Sequence, residues 1–182
     1  MNMMHEWNQK CAEGRSHRGV STRWRSPHQG WIKVNTDAAI FSEWNSTGVG
    51  SVIRNEHGQF IRARNQKLHG LYSPRETEAL GLKEALSWVK NLGYKRCVFE
   101  TDAKELAEAC QGIQGNTYFH LIVLDCMELF KHYDEVLLDY VPRSANIVAH
   151  ELARATYSMS GVHEWVDTPS DCIRDALIID SI

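Results

Sequence analysis

The 182-residue sequence has no apolar run near the ~20 residues that a membrane-spanning helix requires, and no membrane association is expected. Its first residues, MNMMHEWNQK, lack the apolar stretch of a secretory signal, so an intracellular protein of nucleus or cytoplasm is expected. Cysteines are few and odd in number, five at positions 11, 97, 110, 126 and 172, and no two form a CxxC pair. That argues for reduced thiols and against a disulfide or zinc framework. Internal repeats and low-complexity tracts are absent. So is a strong excess of one charge, since the net is only −3. Proteins that grip nucleic acid tightly carry a strongly basic surface, which this chain lacks.

What remains has the composition of an ordinary globular domain, 43% hydrophobic and 24% charged. The charge is unevenly placed. Residues 1–30 carry +3 and no periodicity, and read as a flexible basic arm or connector. Residues 31–160 carry −2 and form the expected domain, and residues 161–182 carry −4 and read as an acidic C-terminal tail.

Within 31–160 the pattern sharpens. WIKVNTDAAIF (31–41), GVGSVIRN (48–55) and QFIRARNQKL (59–68) read as three successive strands with short connections, an antiparallel meander. SPRETEALGLKEALSWVKNLG (73–93) reads as a helix, with Ser73 as N-cap, Pro74 at the first turn and Glu76 as capping-box partner. A short strand (95–102), helices at 103–112 and 118–133, a strand at 134–141 and a last helix at 144–158 complete it. The order βββαβα(α)βα predicts an α/β fold, a mixed sheet with helices packed on its faces.

Three acids stand out. Asp37 lies inside the first strand, where a carboxylate is costly unless it is paired or holds a cation. Glu78 heads the helical stripe Leu82, Ala85, Leu86 and Val89, whereas Glu76 points elsewhere and is explained by its capping role. Asp102 ends a strand where the chain turns into a helix, either as an N-cap or as a ligand at the carboxyl end of the sheet. Glu100 shares its strand face and reads as a structural acid. Three carboxylates converging over a sheet repel one another and require a cation, and oxygen-only donors suit Mg²⁺ or Mn²⁺. Sites of this kind carry two-metal phosphoryl chemistry, which calls for carboxylates roughly 4–7 Å apart.

VNTDAA, ETEALGLKEAL, VFETDAKEL and VPRSANIVAHELARA resemble, in order and spacing, the four motif blocks of the ribonuclease H fold. The match over residues 31–160 is closest to the ribonuclease H-like domains of plant non-LTR retroelement reverse transcriptases. The resemblance implies a five-stranded mixed sheet in the order 3-2-1-4-5 with helices on both faces. It implies hydrolysis of the RNA strand of RNA–DNA hybrids, with two Mg²⁺ or Mn²⁺ ions held by Asp37, Glu78 and Asp102. His150 stands where many members carry a fourth acid, and it is expected on the cleft rim or in solvent rather than in the core. A nitrogen there favours Mn²⁺ over Mg²⁺. Arg143 in VPRSAN either contacts the scissile phosphate or is an exposed loop arginine.

Departures from the family concern grip. TDA replaces the frequent TDS, removing a hydroxyl at Ala103, and the basic protrusion is missing, since residues 112–133 hold only Lys131 as a cation. Weak, metal-dependent binding of hybrid by a monomer is therefore expected. Trp24, Trp31, Trp88 and Trp165 read as packing residues. A catalytically weak module retained for nucleic-acid or protein binding is the alternative. A 3′–5′ exonuclease of the same fold ranks last, because the first strand lacks an Asp-x-Glu.

Overall fold

A computed structural model describes residues 21–112 and 115–180. Strand β1 (Ile32–Phe41) lies at the centre, pairing antiparallel with β2 (Ser46–Arg54) and parallel with β4 (Arg96–Thr101). Strand β3 (Phe60–His69) extends the meander antiparallel to β2, and β5 (Glu135–Tyr140) pairs parallel with β4. The order that the resemblance implies, 3-2-1-4-5, is present, with a sixth strand added outside β3.

That sixth strand corrects the reading of the C-terminus. Residues 161–182 were expected to trail as an acidic tail. Instead β6 (Val162–Val166) pairs antiparallel with β3, and the helix that ends at Asp180 packs back on the sheet. The stretch VHEWV carries two valines and a tryptophan, residues that favour strands, and it finds its partner in the free edge of β3. The proposed basic arm is only partly described. Residues 1–20 lie outside the described residues, but Trp24 donates to Asn35 at 2.9 Å and lies 3.7 Å over the Arg54 guanidinium. Residues 21–30 therefore dock on the domain.

Helices cover both faces. On one, α1 (Pro74–Asn91) and α3 (Tyr118–Phe130) bury Leu82, Leu86, Phe119 and Ile122 against Ile32, Val34, Ile53 and Phe99. The short α2 (Lys104–Ala109) joins the same cluster through Leu106. On the other, α4 (Ile147–Ala155) and α5 (Asp171–Asp180) pack Val148, Leu152, Ile173 and Ala176 on Val52 and Ala63. Helix α1 begins with the expected capping box, Glu76 accepting from the Ser73 backbone at 2.9 Å. Among the described residues no helix is long and apolar enough to cross a membrane.

Candidate metal centre

Strand alternation divides β1 into two chemistries. Ile32 and Val34 face α1 and α3, while Lys33, Asn35 and Asp37 face the α4 side and are nonetheless buried. Parallel pairing sets Asn35 opposite Glu100, so Asp37 and Asp102, two residues further on, leave neighbouring strands side by side at the carboxyl end of the sheet. Glu78 reaches them from the second turn of α1, which approaches β1 closely at Gly81. A Cβ there would lie 3.5 Å from both the Ala38 Cβ and the Asp37 carbonyl oxygen.

Asp37, Glu78 and Asp102 each present a carboxylate oxygen within 4.8 Å of the others. Asp37 is buried and the Asp102 side chain is only 7% exposed. Burial, then repulsion from Asp37 and Asp102, pushes the Glu78 carboxyl up to about 9. Asp37 is also raised, by burial and then by Asp102, against a 2.8 Å hydrogen bond from the Ala38 backbone. A site that keeps a proton at neutral pH because its carboxylates are buried and crowd one another suits a divalent cation, and donors that are all oxygen fit Mg²⁺ or Mn²⁺.

The two readings of Asp102 resolve toward this cluster. The N-cap position of α2 is Ala103, whose N–H is taken by the Thr101 hydroxyl at 3.1 Å, so Asp102 does not cap the helix. Its carboxylate is instead paired with Arg143, which sits in a 3₁₀ turn at Arg143–Ala145 with its side chain half exposed. Arg143 also lies 2.8 Å from His150 Nδ1, and the same nitrogen is 2.7 Å from Asp37 Oδ2. One ring nitrogen cannot both accept from the guanidinium and donate to the carboxylate. The rim therefore has two alternative proton arrangements.

Helix α4 carries His150 to Asp37 because β2 has no side chains where the two meet. A Cβ on Gly50 would lie 2.4 Å from the Ala153 nitrogen, and one on Gly48 2.5 Å from the Ala153 carbonyl oxygen. Asn146, at the start of α4, donates to the Thr36 carbonyl at 3.0 Å and accepts from Asn35 at 3.1 Å. It ties the helix to the strand residue next to Asp37.

Of the polar layer beneath these acids, only Glu100 is singled out by the sequence, as a structural acid. Asn35 donates to Glu100 at 2.8 Å, Glu100 pairs with Lys33, and Arg54 donates to Asn35 at 3.1 Å and to Asp180 at 2.7 Å. The signal was legible. Lys33, Asn35 and Asp37 occupy alternate positions of β1 with Ile32, Val34 and Thr36 between them, and a central strand covered on both faces buries such a row.

A family model described as reverse transcriptase-like matches residues 35–156. The fold is that of ribonuclease H structures. The ribonuclease H1 of the halophilic archaeon Halobacterium salinarum NRC-1 superposes with a TM-score of 0.64 at 19% identity, over 70% of this chain and 98% of that one. The N-terminal ribonuclease H domain of a Mycobacterium tuberculosis protein gives 0.60 at 19%, over 70% and 96%. LC11-RNase H1, solved in complex with an RNA/DNA hybrid, gives 0.61 at 18%, over 68% and 94%. A search of curated proteins returns no match.

Proposed function

Because the chain belongs to the reverse transcriptase-like family and has the ribonuclease H fold, we propose that it is a metal-dependent endonuclease that hydrolyses the RNA strand of RNA–DNA hybrids. The observation that carries this is the convergence of Asp37, Glu78 and Asp102 within 4.8 Å at the carboxyl end of the sheet. Bound there, two Mg²⁺ or Mn²⁺ ions supply the Lewis acidity that phosphodiester hydrolysis requires. Asp37, on β1, and Asp102, just past the end of β4, would hold the ions, and Glu78 would join them in its ionised form. His150, beside Asp37, accepts a proton or a hydrogen bond at the rim. Arg143 exchanges its contact with Asp102 for the scissile phosphate, whose charge its guanidinium matches. That a structural neighbour was solved with a hybrid bound supports the substrate class.

One observation favours the second reading, a weak or inactive binding module. Arg143 sets a cation against Asp102, and His150 occupies Asp37 Oδ2 at 2.7 Å, so two of the three acids already have protein partners. Cleavage of a labelled RNA–DNA hybrid separates the two. The expected result is scission of the RNA strand alone, faster in Mn²⁺ than in Mg²⁺, and reduced to background by Asp102→Asn. Hybrid binding without metal-dependent cleavage would transfer the conclusion to the binding module.

A further inference from the structure

The turn after β1 and the turn after α4 meet in an exposed aromatic corner. Phe41 closes β1, Trp44 follows in a 3₁₀ turn, and both stand edge-on to Tyr157, with ring centroids 5.5 and 6.2 Å from it. Trp44 is 60% exposed and Tyr157 52%, so neither ring fills the core. The turn is well tied. Asn45 takes a left-handed φ of 44°, its N–H reaches Ser42 at 3.3 Å, and its carbonyl accepts from Gly70 at 2.9 Å.

This corner continues the metal cleft along two elements. Phe41 lies four residues past Asp37 on β1, about 13 Å away at the rise of a strand. His150, Arg154 and Tyr157 recur at i, i+4 and i+7 on one face of α4 and the turn that follows, about 10 Å in all. Arg154 is exposed and forms no ion pair among the described residues. Lys67 places its ammonium 3.1 Å from the Tyr157 carbonyl oxygen. With Glu43 in the same turn, the patch is mildly basic. Phosphates of one strand advance ~3.4 Å per step along a duplex axis, so the corner lies about three to four nucleotides from the cleft.

Inside a duplex both faces of every base are covered by its neighbours, so away from a duplex end an exposed ring stacks only on an unpaired base. Resting on the nuclease reading above, we propose that the corner binds a single-stranded extension of the hybrid. Arg154 holds a phosphate, and Trp44 and Tyr157 stack on the unpaired bases. The favoured substrate is then a hybrid that ends in single strand near the cleavage point, rather than a continuous hybrid.

The test compares a blunt labelled hybrid with one extended by single strand, by fluorescence anisotropy with Ca²⁺ in place of the catalytic metal. Wild-type protein should bind the extended hybrid about five- to tenfold more tightly. Trp44→Ala with Tyr157→Ala should erase that preference, while Trp44→Phe with Tyr157→Phe should keep most of it. Arg154→Ala should lower the salt dependence of binding to the extended hybrid by about one phosphate contact. Equal wild-type affinity for the two hybrids, with cleavage intact, overturns this inference and leaves the nuclease reading standing. Loss of affinity for both hybrids alike in the double alanine variant overturns it as well. A wild-type protein that neither binds nor cleaves hybrid overturns both.

Discussion

Glu78 is where pH acts on this molecule. Its carboxyl ordinarily ionises near 4.5 and is pushed up to about 9 by burial and by the two neighbouring acids. The folded protein therefore keeps a proton that the unfolded chain releases above its ordinary value. Stability linked to this group is complete below that value and is lost as pH rises toward 9. Asp37 is shifted in the same direction. Divalent metal requires the ionised form, so its affinity rises with pH across the same window. The thermal midpoint of the metal-free protein should fall between about pH 5 and 9. Glu78→Gln should flatten that fall, and Mn²⁺ at pH 8 should raise the wild-type midpoint more than the variant's. A wild-type midpoint that stays level over this range would count against the shared-proton description of the site.

Helix α4 owes its place to two glycines. At Gly48 and Gly50 there is no room for a methyl group between β2 and the backbone at Ala153. The helix therefore lies low enough for His150 to reach Asp37 at 2.7 Å. Gly50→Ala should lift α4 from the sheet at a cost of about 1–3 kcal/mol in unfolding free energy, the usual penalty of an overpacked core. It should also move the His150 ring away from Asp37, seen as a changed imidazole resonance in the NMR spectrum. An unchanged resonance in a destabilised variant would mean that Asn146, through Thr36, holds the start of the helix by itself.

Both ends of the described chain close over one buried charge. Arg54 is 2% exposed, with Trp24 over its guanidinium, Asn35 beside it and Asp180 from the end of α5 as its ion-pair partner. Its Nε has no hydrogen bond among the described residues, which makes the contact with Asp180 more consequential. Removing one member of a buried pair leaves a desolvated charge, so Asp180→Ala should cost about 3 kcal/mol and lower the thermal midpoint by about 6–12 °C. Arg54→Met with Asp180→Leu, which removes both charges, should recover much of that loss. If the single variant melts with the wild type, α5 is held by Ile173 and Ala176 alone.

The sequence by itself determined what depends on near neighbours. The five central strands and the longer helices follow from periods of 2 and 3.6, and the capping box at Ser73 and Glu76 spans three residues. Glu78 was set apart from Glu76 by helical phase alone. Only the tertiary structure decided which groups meet. Asp102 as N-cap or cleft acid turned on whether α2 begins at Ala103 or one residue later, at Lys104, where it does begin. The choice for Arg143 and His150 between solvent and cleft rested on partners up to 113 positions away. The polar layer from Lys33 to Asp180, and the β6 edge that read as a tail, arise the same way. Charge and alternation are properties of a segment, but whether a charge is buried and paired, or a strand finds an edge, is set by contacts that local sequence does not encode.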